Sequence, residues 1–146
     1  MVTQLDRVKE VMGGMSVVPQ PVNNTFDWIN IAKNGLSIKA VRALQERMSF
    51  TNKEVSRLIS ISESTLQRRL NAQSTLSVEE GEKAIHVATI IAKGIAAFDD
   101  EDDFREWIHI NNPALNNLKP IELLDSSIGR EQILNLLNRI EHTIYS

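Results

Sequence analysis

The chain has 146 residues, a net charge of −3, 42% hydrophobic residues and no cysteine. That length buries one good core or two small ones sharing an interface, and the lack of cysteine excludes a disulfide framework and thiolate catalysis. No apolar run approaches the roughly 20 residues of a membrane span, and no basic segment leads into an apolar one at the N-terminus, so the expectation is a cytoplasmic protein with no membrane partner.

Charge is unevenly placed. Residues 1–70 carry ten Lys and Arg against six Asp and Glu, a net of +4, while residues 71–146 carry six against thirteen, a net of −7. A weakly basic first half and an acidic second half suit a DNA reader joined to a protein-binding region.

Residues 1–25 hold paired glycines, two prolines and paired asparagines, which punctuate structure; a short helix over Gln4–Met12 followed by a loop is the expectation. Phe26, Trp28, Ile29 and Ile31 restart an apolar pattern that stops near Gly35. Ser37 has the place of an N-cap, with Leu36 and Val41 as its hydrophobic staple, for a helix through Met48.

The stretch FTNKEVSRLISISESTLQRRL, Phe50 to Leu70, reads as two short helices joined by Ser60–Ser62. Thr51 and Glu54 form a capping box, flanked by a Phe50–Val55 staple; Ser62 caps the second helix, with Ile61 and Leu66 as its staple. Counted from Asn52, apolar residues fall at positions four, eight, ten and fifteen (Val55, Ile59, Ile61, Leu66), and a small residue, Ser56, sits at five, where two helices cross closely. Ser60 occupies the ninth position, where glycine is usual for the turn. With Leu66 and Leu70 inward, 100° per residue puts Ser64, Arg68 and Asn71 outward and Thr65 and Gln67 on the flanks. Hydroxyl, amide and guanidinium groups are the side chains that meet base edges. The expected DNA-binding set is Ser62, Ser64, Thr65, Gln67, Arg68, Arg69 and Asn71, with Lys53 and Arg57 of the preceding helix holding phosphates. A plain helical hairpin is the competing interpretation.

After a loop over Asn71–Leu76, Ser77 and Glu80 make another capping box. From Ala84 to Phe98 the sequence is apolar nearly all round, which places that helix in the core and in a homodimer seam, since helix-turn-helix readers normally bind half-sites as dimers. His86, inside this stretch, reads as a hydrogen-bonded core or interface histidine; no second ligand at a fitting spacing supports a metal role. The acidic run Asp99–Asp103 lacks the alternating ligands and central glycine of a calcium loop and reads as a solvated linker feeding the next helix. Phe104, Trp107 and Ile108 line one face of that helix. A proline turn with Asn116 and Asn117 follows, Pro120 starts a short helix, and Gly129 is expected to break the chain before a last helix from about Arg130 to Tyr145. Ile133, Leu137, Ile140 and Ile144 form its stripe.

The segments LSVEE–GEKA and FREWIHINNPALNNLKPIELLDSSIGREQILNLLNRIEHTIY resemble the C-terminal half of the Xre/MbcA/ParS-type antitoxins. That family pairs a tryptophan helix, an N-P-A-L…P-x-x-L-L segment, a glycine and a final helix after an Xre-type helix-turn-helix. The resemblance covers about residues 35–146; Asn116 and Asn117 stand where the family often has glycine. It implies an all-α fold, an Xre-type helix-turn-helix domain followed by a small helical toxin-binding domain, with residues 1–35 an N-terminal extension, 36–98 the DNA-binding and dimerisation region and 99–146 the antitoxin domain. It also implies a RES-domain toxin that degrades NAD⁺ as partner, its NAD⁺ site covered by the antitoxin's C-terminal end, and operator DNA bound to repress the operon in a higher-order toxin–antitoxin complex. The toxin-binding expectation falls on Trp107, Arg139, Glu141, His142 and Tyr145. No G-x-S-x-G, P-loop, H-E-x-x-H or Gly-rich dinucleotide turn is present, and no catalytic residue, metal or cofactor is expected. On residues alone the alternative is a dimeric helix-turn-helix regulator without a toxin partner.

Overall fold

The computed structural model describes residues 2–145, with side chains as far as Thr143. Secondary structure among the described residues is helical apart from two isolated bridges, Ser37 with Thr75 and Asn112 with Leu118. The chain forms two compact units, residues 1–89 and 90–146. They divide inside one continuous helix, whereas the domain reading from sequence puts the division after Phe98.

In the first unit, α1 (Gln4–Val11) and α2 (Thr25–Asn34) are each opened by a capping box, Thr3 with Asp6 and Asn24 with Asp27. Gly35 ends α2 at φ 98°, a backbone angle that suits glycine. Ser37 caps α3 (Ile38–Met48) as expected. The helix-turn-helix pair is α4 (Asn52–Ile59) and α5 (Glu63–Ala72), and α3, α4 and α5 pack on one another while α1 rests on α3. Their core holds Ile38, Val41, Leu44, Met48, Val55, Leu58, Ile59 and Leu66, all at most 2% exposed. Val8, Val11, Met12 and Val18 are buried too, so the first 35 residues add apolar side chains to the core of this unit.

Helix α6 (Val78–Phe98) starts at the Ser77–Glu80 capping box and carries the chain into the second unit. Ala84, Ile85, Val87, Ala88, Ile90, Ile91, Ala92 and Ala97 are buried within a single copy of the chain, while Ile95, Ala96 and Phe98 are half-buried. His86 is not in a core: it is exposed on α6 beside a cavity of about 520 Å³ floored by Leu5, Val8, Trp28 and Ile85.

In the second unit Asp100 caps α7 (Glu101–Trp107), its carboxylate accepting from the N–H groups of Asp102 and Asp103. A 3-10 turn at Pro113–Leu115 and the short α8 (Pro120–Leu123) lead to α9 (Ser127–Tyr145), and both pack against α9. Gly129 does not break the chain; it lies inside α9. A Cβ there would sit 2.1 Å from the Leu123 carbonyl oxygen, so the glycine is required by the close approach of α8. Gly94 serves likewise on α6, where a Cβ would fall 2.1 Å from the Phe104 ring. Ile133 and Leu137 of the predicted stripe are fully buried and Ile140 half-buried; the Ile144 side chain lies outside the described residues.

Candidate nucleic-acid interface and partner-binding unit

The corner before α4 is fixed by a buried amide. Gln45, 6% exposed, donates from Nε2 to the Phe50 carbonyl at 3.1 Å and to Asn52 Oδ1 at 2.8 Å, while Arg42 donates to its Oε1 at 3.2 Å. Thr51 and Glu54 then close the capping box predicted for α4, at 3.0 and 2.8 Å. Ser56 is 3% exposed, and its hydroxyl finds no partner among the described residues; its small size is what the site uses.

The turn between the helices runs through Ser60 at φ 60°, ψ 45°, the left-handed conformation that glycine adopts without steric cost. Its hydroxyl accepts from Lys83 Nζ at 3.0 Å, which ties the turn to α6. Ser62 caps α5 by accepting from the Thr65 N–H at 3.0 Å, and its hydroxyl also donates to Thr65 Oγ1 at 2.8 Å. Leu66 is buried and Leu70 half-buried, so the face opposite them is the outer one.

On that outer face Ser64, Gln67, Arg68 and Asn71 are exposed, with Ser62 at its start and Thr65 half-buried at its flank. Gln67 donates to Asn71 Oδ1 at 3.0 Å, lining up two amides one turn apart. Lys53 and Arg57 are exposed on α4. Arg69 is placed differently from its neighbours. It turns back to ion-pair with Glu80, which also accepts from the Ser77 N–H at 2.9 Å. Burial raises the Glu80 pKa, but the Ser77 N–H and the Arg69 guanidinium outweigh it and hold the carboxyl below its ordinary value of 4.5. Arg69 therefore joins the end of α5 to the start of α6 and is withdrawn from the outward set.

In the second unit Trp107 is half-buried in an aromatic cluster, its ring centroid 5.3 Å from Phe98 and 5.9 Å from Phe104. Packing against the two phenylalanines engages part of its surface. Arg139 and His142 are exposed near the end of α9, Glu141 is half-buried, and the Tyr145 side chain lies outside the described residues. Arg130, 7% exposed, donates to the Leu124 carbonyl at 2.9 Å and so satisfies the end of α8. Burial lowers its pKa, with Asp125 opposing.

Sequence reasoning missed three exposed apolar side chains in this unit: Ile128 at the start of α9, 74% exposed, and two on the asparagine–proline loop. Ile110 is 58% and Leu118 39% exposed, at the two ends of the asparagine–proline loop. The available signal was an aliphatic residue on either side of a segment rich in Asn and Pro. His109 is half-buried, with Nδ1 3.2 Å from the Arg105 carbonyl. Among the described residues no group of His, Asp or Glu is arranged to hold a metal ion, and no helix is long and apolar enough to cross a membrane.

The fold and these surfaces define a helix-turn-helix DNA-binding domain followed by a helical partner-binding domain. Residues 27–88 match the family model described as the antitoxin Xre-like helix-turn-helix domain, and residues 93–142 match the antitoxin Xre/MbcA/ParS C-terminal toxin-binding domain. The chain belongs to the Xre-type antitoxins. Among its relatives is an "Antitoxin Xre" of Photorhabdus laumondii subsp. laumondii, 24% identical over 117 residues, 80% of this chain and 79% of the relative. Another, also named "Antitoxin Xre", from Yersinia enterocolitica serotype O:8 / biotype 1B, is 22% identical over 119 residues, 81% and 80% of the two chains.

Proposed function

We propose that this chain neutralises a RES-domain toxin that degrades NAD⁺, by placing its C-terminal end over the toxin's NAD⁺ site, and that it represses its own operon through α5. The observation that carries this reading is the pairing of two domains in one chain: a helix-turn-helix with a polar outward face, and a toxin-binding-type domain whose last helix ends in exposed Arg139 and His142. The NAD⁺ is the toxin's substrate; the antitoxin's side chains fill the cleft. Both partners are met in the cytoplasm, and the DNA-bound form is a dimer, matching the two-fold symmetry of half-site operators.

Co-expression with a cognate RES-domain toxin tests the neutralisation. The truncation must spare the buried Ile133, Leu136 and Leu137, so the informative variant ends at Ile140. The full chain is expected to restore growth and cellular NAD⁺, and the shortened one to lose that rescue while keeping operator binding. Full rescue by the shortened chain would remove the last residues from the mechanism. A full chain that neither binds nor rescues would leave a dimeric regulator as the better account.

A further inference from the structure

The asparagine–proline loop of the second unit is built more rigidly than a connection between helices requires. Its stem is closed by the Asn112 N–H donating to the Leu118 carbonyl at 3.0 Å, and below it the Ile121 N–H donates to the Ile108 carbonyl at 3.0 Å. Asn117 N–H donates back to the Asn112 carbonyl at 2.9 Å, and Asn111 Nδ2 to the Asn117 carbonyl at 2.7 Å. Asn112 Oδ1 accepts from the Ala114 N–H at 2.9 Å, and Leu115 anchors the loop at 6% exposure. Asn116 and Asn117 both hold left-handed angles, φ 58° and 61°, which asparagine tolerates better than other non-glycine residues.

On this fixed frame Ile110 and Leu118 stand on adjoining segments of the stem and remain open to solvent. A rigid loop presenting two aliphatic side chains loses little conformational entropy on docking, which is how preorganised protein interfaces gain affinity. The loop lies wholly within residues 93–142, the span matched by the toxin-binding domain model, so the partner that fits it is the toxin. We propose that Ile110 and Leu118 form the apolar anchor that docks the toxin, seated in an apolar depression on the toxin surface, separately from the C-terminal end that enters the cleft. The proposal rests on the neutralisation reading above and adds to it a second, affinity-determining contact.

The test uses the full chain with a cognate RES-domain toxin. Ile110→Ser with Leu118→Ser is expected to weaken toxin binding by about 100-fold, as for loss of two hot-spot anchors. Phe26→Ser, which alters an apolar and 73% exposed side chain outside residues 93–142, is expected to change binding by less than about threefold. Thermal unfolding and operator binding report whether the doubly substituted chain is folded. If it is not, hydrogen exchange of the wild-type chain decides: added protection over residues 110–119 on toxin binding supports the anchor, and none overturns it. Unchanged toxin affinity in a folded double variant, or a change in self-association alone, would also overturn it. A wild-type chain that fails to bind the toxin rejects the neutralisation reading and this inference together.

Discussion

The outward face of α5 and the asparagine–proline loop solve opposite recognition problems. On α5 the exposed side chains are Ser64, Gln67, Arg68 and Asn71, each able to donate a hydrogen bond; on the loop the exposed side chains of interest are Ile110 and Leu118, which exclude water. The first set suits base edges and phosphates, the second an apolar protein surface. Both are held by turns with left-handed residues, Ser60 in one and Asn116 and Asn117 in the other. Similar backbone devices thus support two chemistries, and the side chains on the frame decide which kind of partner each suits.

Disabling one frame alone separates the two surfaces. Gly129→Val places a side chain where a Cβ already falls 2.1 Å from the Leu123 carbonyl oxygen, and backbone cannot yield as a side-chain tip would. The expected cost is roughly 3 kcal/mol of stability. Toxin binding should fall with it while operator binding in a gel-shift titration persists. Loss of both together would mean that the two units do not function separately.

On α5, two adjacent arginines are placed differently. Arg68 is exposed on the outer face, whereas Arg69 is engaged with Glu80. Arg68→Ala should cost about 1–3 kcal/mol of specific operator binding and reduce discrimination between operator variants. Arg69→Ala should lower the unfolding midpoint more than it lowers affinity. An operator affinity unchanged by Arg68→Ala would take that residue out of the reading set.

The same pair shows where the sequence was legible. Caps are local, set by residues three apart, so Thr51, Ser62 and Ser77 were readable, and Thr3 with Asp6 and Asn24 with Asp27 carried the same signal unread. The outward position of Arg68 follows from helical period alone. The diversion of Arg69 does not, because Glu80 is eleven residues away, beyond the end of its helix. Gly129 looked like a break because glycine weakens helices; the closeness of Leu123 is tertiary and left no local mark. His86 sits in an apolar run yet faces outward, since α6 is covered on most of its circumference but not at that position. For the loop, Asn116 and Asn117 were readable as left-handed residues, but the exposure of Ile110 and Leu118 depends on what the surrounding helices leave uncovered.

Frame and side chain can also be separated at the turn of the helix-turn-helix. Ser60→Gly removes the cost of a left-handed Cβ but forfeits the hydrogen bond from Lys83. The net expectation is a gain of about 1 kcal/mol in denaturant unfolding, with operator affinity unchanged. A loss of stability would show that the Lys83 bond outweighs the backbone term.

The smallest effect tests the link between α5 and α6. Glu80 has a folded-state pKa held below its ordinary 4.5, so its contribution is present above that value and lost as pH falls through the lower, folded value. Glu80→Gln keeps the size and one acceptor oxygen but removes the charge that pairs with Arg69. The wild-type chain should exceed the variant by roughly 0.5 kcal/mol at pH 7, a modest figure because Arg69 is partly solvated. The difference should close at pH values well below 4.5, where Glu80 is protonated in both folded and unfolded wild-type chains. Urea unfolding at several pH values measures it. A difference that stays constant down to acid pH would assign the effect to shape or capping geometry, and the ion pair would then not be what holds Arg69 away from the outer face of α5.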